Sequence, residues 1–354
     1  MASFQMISVK SELVFGVARG RGHVLGLRFM KPHKISYTDP VERCLKAVGR
    51  ILFKPFDIGK WFALGFSAWL ATLLSGAAGF QGNYNFGGVS FGDESSEQFV
   101  GTIQSCLEFL RENLALVITI ATIGLVLLMT ISLLLTWVSA RGKFMYLDNL
   151  VHNRSLVKKP WAKFKRLGNS LFLWQIVFGV IVSIVLLAHV GGAGYFAVVT
   201  SQNSAWSLAS FLIMLAAALF FLMLLLVTSY IQVMLEDFVV PIMYRDGLKA
   251  CAAWSSFLAL HKAHIWKFAL YFLWSALLRL AASMGLAMVG LATCCIGFIL
   301  MAIPYIGAVL ILPVSSFLRL FGPEFLRQFG DEYDIFPPPA PPTPPASGAS
   351  KPSA

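Results

Sequence analysis

Charge is what this sequence lacks most. Only 13% of its 354 residues are Asp, Glu, Lys or Arg, about half the share of a water-soluble domain. That deficit argues against an ordinary soluble enzyme and against a disordered chain. Five cysteines are too few for the disulfide framework of a secreted scaffold, and no C-x-x-C pair suggests zinc. Neither a P-loop, a G-x-S-x-G elbow nor an H-E-x-x-H helix is present. Acids are scarcer than bases, 17 against 28, and none falls well inside a long apolar run. What is abundant is hydrophobicity: 57% of the residues are apolar, and 30 are Phe.

The apolar residues come in long continuous runs without the two-residue alternation of barrel strands, so the expectation is an all-α, polytopic membrane protein. Trp61 to Gly92, and Asn113 to Ala140, contain no charged residue and give one span each. Leu167 to Leu235 is too long for one crossing, and the polar Thr200–Ser204 marks a turn between two. Phe268 to Leu318 holds a single charge, Arg279, and demands two more around a turn near Ala292–Gly297. The reading is six transmembrane helices in three hairpins, at about 61–80, 115–138, 171–193, 207–235, 268–291 and 298–318.

Cations then orient the chain. The N-terminal 60 residues, residues 141–166 and residues 236–267 are rich in Lys and Arg, whereas the first alternate loop holds Asp93, Glu94, Glu97, Glu108 and Glu112 beside Arg111 alone. Basic loops stay in the cytoplasm, so both termini are expected inside, in the cytoplasmic membrane. The net charge of +11 is then explained by anionic lipid headgroups, with no nucleic acid required.

Residues 1–36 read as a basic disordered arm or as an upstream extension, with Met30 an alternative start. Residues 37–336 form the membrane domain, and the Pro-rich 337–354 a solvated tail. Asp39-Pro40-Val41-Glu42 reads as a helix start. The helix after it places Val41, Leu45, Val48 and Leu52 on one face, the spacing of an amphipathic helix lying at the cytoplasmic interface. Trp161-x-x-Phe164-x-x-Leu167 and Trp254-x-x-Phe257-x-x-Leu260 suggest that this arrangement recurs before spans three and five. Gly-rich GFQGNYNFGGVSFGD reads as an external loop. Gly76 and Gly79, Gly191, Gly192 and Gly194, and Gly285 and Gly290 read as helix-packing positions.

The segments KPFDIGKWFALGFSAWLA, RGKFMYLDNL, FVVPIMYRDGLKACAAWSSFLALHKAHIWKF and YIGAVLILPVSSFLRLF resemble a group of uncharacterised bacterial six-helix membrane proteins over about 37–336. More distantly, they resemble the membrane region of glycerophosphodiester phosphodiesterases. That phosphodiesterase activity belongs to a separate soluble domain, and none follows residue 336 here, so the resemblance implies a fold and no reaction.

Arg279 is the first candidate site residue, since an ionisable group inside a span is costly. A span starting near Lys267 buries it about 18 Å deep; one starting near Leu273 puts it about 9 Å deep, within snorkelling reach. Glu236 and Asp237 are its possible partners. Pro241 should kink or end its helix, with a discontinuous transporter helix as the alternative. His261 and His264 read as a basic face towards headgroups rather than a metal pair. Cys106 has the option of bridging Cys294 or Cys295. No catalytic residue, metal or cofactor is expected. The function that follows is a non-catalytic scaffold or accessory subunit touching anionic lipid and an unidentified membrane partner. A small-solute transporter or channel is the alternative, and a membrane-embedded lipid enzyme the third reading.

Overall fold

A computed structural model describes residues 35–73, 112–202, 207–294 and 296–336, and these are helical with no strand. All that follows lies in the unit Ser36–Ala354. The basic arm up to residue 34, the Gly-rich loop, Gly76, Gly79, Cys106, Cys295 and the Pro-rich tail lie outside the described residues.

The elements in chain order are α1 (Asp39–Phe53), α2 (Ile58–Thr72), α3 (Leu114–Val151), α4 (Lys158–Lys163), α5 (Lys165–Gln202), α6 (Leu208–Met234), a π turn (Leu235–Val239), α7 (Val240–Asp246), α8 (Ala250–Ala263), α9 (Ile265–Ala292), α10 (Ile296–Ala302), α11 (Ile306–Leu310) and α12 (Leu312–Leu326). Among the described residues, four helical stretches are long and apolar enough to cross a membrane: Leu114–Val151, Lys165–Ser201, Leu208–Asp246 and Ile265–Ala292. Each is longer than the ~20 residues a bilayer needs.

The surplus length explains the architecture. Along α3, large apolar side chains from Leu114 to Leu134 are exposed, as a surface made for lipid would be. From Ser139 to Val151 every residue is buried. The same change occurs after Val227 on α6, which is 46% exposed, and by Leu235, which is 0% exposed. The lysine- and arginine-bearing ends of the helices therefore converge in one packed junction, while their apolar lengths extend away from it.

Here the structure corrects the sequence reading. Arg141 and Lys143, expected in a basic loop facing headgroups, are inside α3 and only 6% and 4% exposed. Helix α5 extends two residues past the start of the expected turn, as far as Gln202, and α6 begins at Leu208. Over 298–318, where one span was expected, the chain forms three short helices. Pro304 lacks an amide, and Tyr305 takes a left-handed φ of 70°, so the ladder cannot run through.

Close backbone approach builds the junction. A Cβ on Gly142 would stand 2.6 Å from the Leu70 carbonyl carbon, and one on Gly65 2.5 Å from Val309 Cγ2. Trp61 Nε1 donates to the Val309 carbonyl (2.9 Å), and Ser139 Oγ to the Ala71 carbonyl (2.8 Å). The start of the unit meets the turn that follows α12: Ser36 and Gln328 exchange two hydrogen bonds of 2.8 and 2.9 Å.

Helix α1 packs through Cys44, Val48, Ile51 and Leu52, whereas Leu45 is 61% exposed. Its buried face is thus rotated from the expected one, because it docks on α12: Arg43 lies 3.9 Å from Glu324. Nor are the two W-x-x-F-x-x-L segments equivalent. Phe164 sits at the break between α4 and α5, whereas Trp254, Phe257 and Leu260 all lie within α8. Of the described glycines expected to pack helices, Gly290 does, against the Phe298 ring; a Cβ on Gly191, Gly192, Gly194 or Gly285 would meet nothing within 4 Å.

Candidate functional site

The junction has a polar centre, and its organiser is the π turn. Pro241 has no amide to give to the carbonyls one turn earlier, so the ladder shifts: the Val240 amide reaches back five residues to the Leu235 carbonyl. Such turns absorb one extra residue. The helix neither ends nor breaks at Pro241. It continues to Asp246 and stops at Gly247, whose φ of 65° makes the left-handed C-cap. Helix α12 approaches the same turn at Gly322, where a Cβ would lie 2.3 Å from the Asp237 carbonyl oxygen.

Consecutive residues on a helix point roughly 100° apart, so Glu236 and Asp237 serve different neighbours. Lys143 Nζ of α3 donates to Glu236 Oε1 at 2.6 Å. Asp237 Oδ2 accepts from Arg279 Nη2 and from Tyr271 Oη of α9, each at 2.9 Å. Arg279 also donates to Ser275 Oγ (3.0 Å), and its side chain keeps 30% exposure. Arg319 of α12 donates to the Lys143 carbonyl at 3.2 Å. Beside them, Tyr146 Oη lies 3.1 and 2.9 Å from the hydroxyls of Ser315 and Ser316. Rings of Phe238, Phe268, Tyr271 and Phe325 pack around this centre, with Tyr271 and Phe325 centroids 4.6 Å apart.

All four sequence-derived candidates therefore fall within one neighbourhood. The structure joins Arg279 to Asp237 and gives Glu236 to Lys143 instead. The His261 ring nitrogen lies 2.6 Å from Tyr230 Oη, and the His264 ring packs at a tilt against that of Phe329, with centroids 5.3 Å apart. The acids and the histidines thus serve different partners. Burial holds the His261 imidazole below its ordinary value.

Two further clusters were missed. Asp148, fully buried, accepts from Tyr244 Oη (2.9 Å) and from Arg154, with Lys163 3.8 Å away. It is the one acid among the eight bases of 141–166, a signal in itself. Tyr271, Ser275 and Arg279 recur at intervals of four, which places them on one helix face. His189 lies inside a run free of Asp, Glu, Lys and Arg, where a neutral imidazole gives no charge signal. Its Nε2 lies 3.0 Å from the Ala217 carbonyl, and its ring 4.9 Å from that of Phe220.

On α12, burial raises the Glu324 carboxyl despite Arg327 and Arg43. Burial pushes the Cys44 thiol well up, and Glu324 adds to the effect, so Cys44 stays protonated and inert. Among the described residues, no group of three or more His, Cys, Asp or Glu could hold a metal ion. Chemically, each acid of the centre is paired with a cation on another helix, and Arg319 adds a third cation that donates to a backbone carbonyl.

Comparison with curated proteins found no match, and neither did comparison with solved structures. A family model does match, over residues 36–331, the stretch that begins at the Ser36–Gln328 clasp and includes every cluster described above. The chain belongs to the family of unknown function DUF7544.

Proposed function

We propose that the protein is a non-catalytic scaffold or accessory subunit of the cytoplasmic membrane, multi-pass, with six crossings in three hairpins and both termini inside. The observation that carries this reading is the state of the buried acids. The half-buried Glu236 and the buried Asp237, Asp148 and Glu324 are each paired with at least one cation, which leaves none of them available as a general base. A network of this kind fixes how helices cross. It favours a rigid platform at the basic ends, with apolar lengths facing lipid or a partner's helices.

The partition of cations supports the orientation, because it follows the positive-inside pattern. Two considerations support six crossings. The apolar run begun by α2 continues beyond Leu73 in the sequence. After Ala292 the chain returns through the broken α10–α12 segment to place Arg319 beside Lys143.

A transporter is the second reading, favoured by one observation. The break at Ile303–Tyr305 interrupts an apolar segment, as in discontinuous transporter helices. Proteoliposomes separate the two. The scaffold reading expects no flux of protons or small anions above lipid background, and an Arg279→Leu variant that loses stability without changing that baseline. Flux in the wild type that disappears in a folded Arg279→Leu variant refutes the scaffold.

A further inference from the structure

We infer that the groove between α5 and α8 is a binding site for an anionic phospholipid, with the phosphate at Lys262 and Ser255 and an acyl chain along Leu258 and Trp174. The inference rests on reading the chain as a membrane protein whose basic ends face charged headgroups.

The two helices start side by side. The Ala250 amide donates to Ser170 Oγ at 3.0 Å, and four residues further along each helix, Trp254 stacks on Trp174 with ring centroids 5.4 Å apart. Beyond this stack lies an open groove of about 590 Å³, lined by Trp174, Trp254, Ser255, Leu258, Ala259 and Lys262. That volume is within the usual range of small-molecule sites.

Its position and chemistry both point to a lipid. Helix α8 buries Ala250, Ala253 and Phe257 against the junction, while the groove residues Ser255, Leu258, Ala259 and Lys262 occupy its exposed side. The groove opens where α5 turns into lipid-type surface, with Leu173 64% and Val177 53% exposed. The level is that of His261 and Tyr230, next to the last exposed apolar residues of α6. Headgroups lie at such a boundary, and indole rings concentrate there.

No acid lines the groove, so the Lys262 ammonium favours a negative ligand. A stem of Leu258, Ala259 and stacked indoles suits an acyl chain rather than a soluble anion.

The test uses the whole protein in phosphatidylcholine nanodiscs containing a small fraction of lipid with brominated acyl chains, which quench tryptophan on contact. The wild type should be quenched more by brominated phosphatidylglycerol than by brominated phosphatidylcholine, with a preference of about fivefold for one lysine at an anionic headgroup. Lys262→Gln, at an exposed position outside the junction, should abolish that preference while leaving thermal stability unchanged. Trp174→Phe with Trp254→Phe should remove the preferential component.

Equal quenching by both lipids in the wild type overturns the site. So does preferential quenching that survives the double tryptophan replacement, or competition by soluble glycerol phosphate as effective as the lipid itself. Failure of the protein to enter nanodiscs at all would instead refute the membrane reading.

Discussion

The outer lengths of the long helices and the junction at their basic ends are made of different material. From Leu114 to Leu134, α3 is a run of exposed aliphatic side chains; from Ser139 to Val151 it is buried on all sides and carries Arg141, Lys143, Asp148 and Asn149. The outer lengths need only be apolar, because lipid accepts any of many side chains. The junction needs particular atoms at particular distances. It follows that location is encoded in bulk hydrophobicity, whereas the arrangement of helices is encoded in a few glycines and charges.

Substitutions should therefore divide sharply between the two regions. The largest effect is expected for Asp237→Ala, which strips Arg279 of its ion pair and Tyr271 of its acceptor. Breaking a buried pair costs about 3–5 kcal/mol, and the partial exposure of Arg279 lowers the figure towards about 3 kcal/mol. Unfolding in mild detergent would measure it. Replacing Lys143 alone by Met should cost a similar amount. Converting Lys143 and Glu236 together to Met should recover most of the loss, since an apolar pair leaves no charge stranded.

Next come the glycines, where the same chemical change has opposite consequences. Gly142→Ala drives a methyl into the backbone of Leu70 and Ala71, an overpacking cost of about 1–3 kcal/mol. Gly285→Ala and Gly191→Ala meet open space and should be neutral or stabilising by up to about 1 kcal/mol, the helix-propensity gain. Comparable losses at all three positions would erase the distinction between the regions.

The smallest expected effect is pH-dependent. Burial depresses the His261 imidazole from its ordinary value of 6.5, so below that pH the unfolded chain takes up the proton before the folded one does. Stability should fall as pH drops from about 7 towards about 5. The decline should be shallower in His261→Gln, as followed by the thermal midpoint.

Much of the architecture was legible in the sequence and some was hidden, for physical reasons. The helical class and the four long helices follow from charge-free runs, because a bilayer admits little else. Arg279, Glu236, Asp237 and Pro241 stood out because each is unusual beside long apolar stretches. The fate of Arg141 and Lys143 was not legible: a basic residue after a span reads as a loop, and only tertiary packing shows the helix running on to bury it. Pro241 misled similarly, since a π turn lets a helix pass a proline that would otherwise stop it. The buried face of α1 depends on where α12 lies, which the period of α1 alone does not reveal.

The account stands or falls on whether the charges of the junction hold helices together. The direct measurement is a double-mutant cycle on unfolding free energy, combining Asp237→Asn with Arg279→Gln. A coupling of about 1–3 kcal/mol, at the upper end for neighbouring groups, is the predicted result. Additive losses, each below about 0.5 kcal/mol, would contradict it by showing that the pair is incidental to the fold.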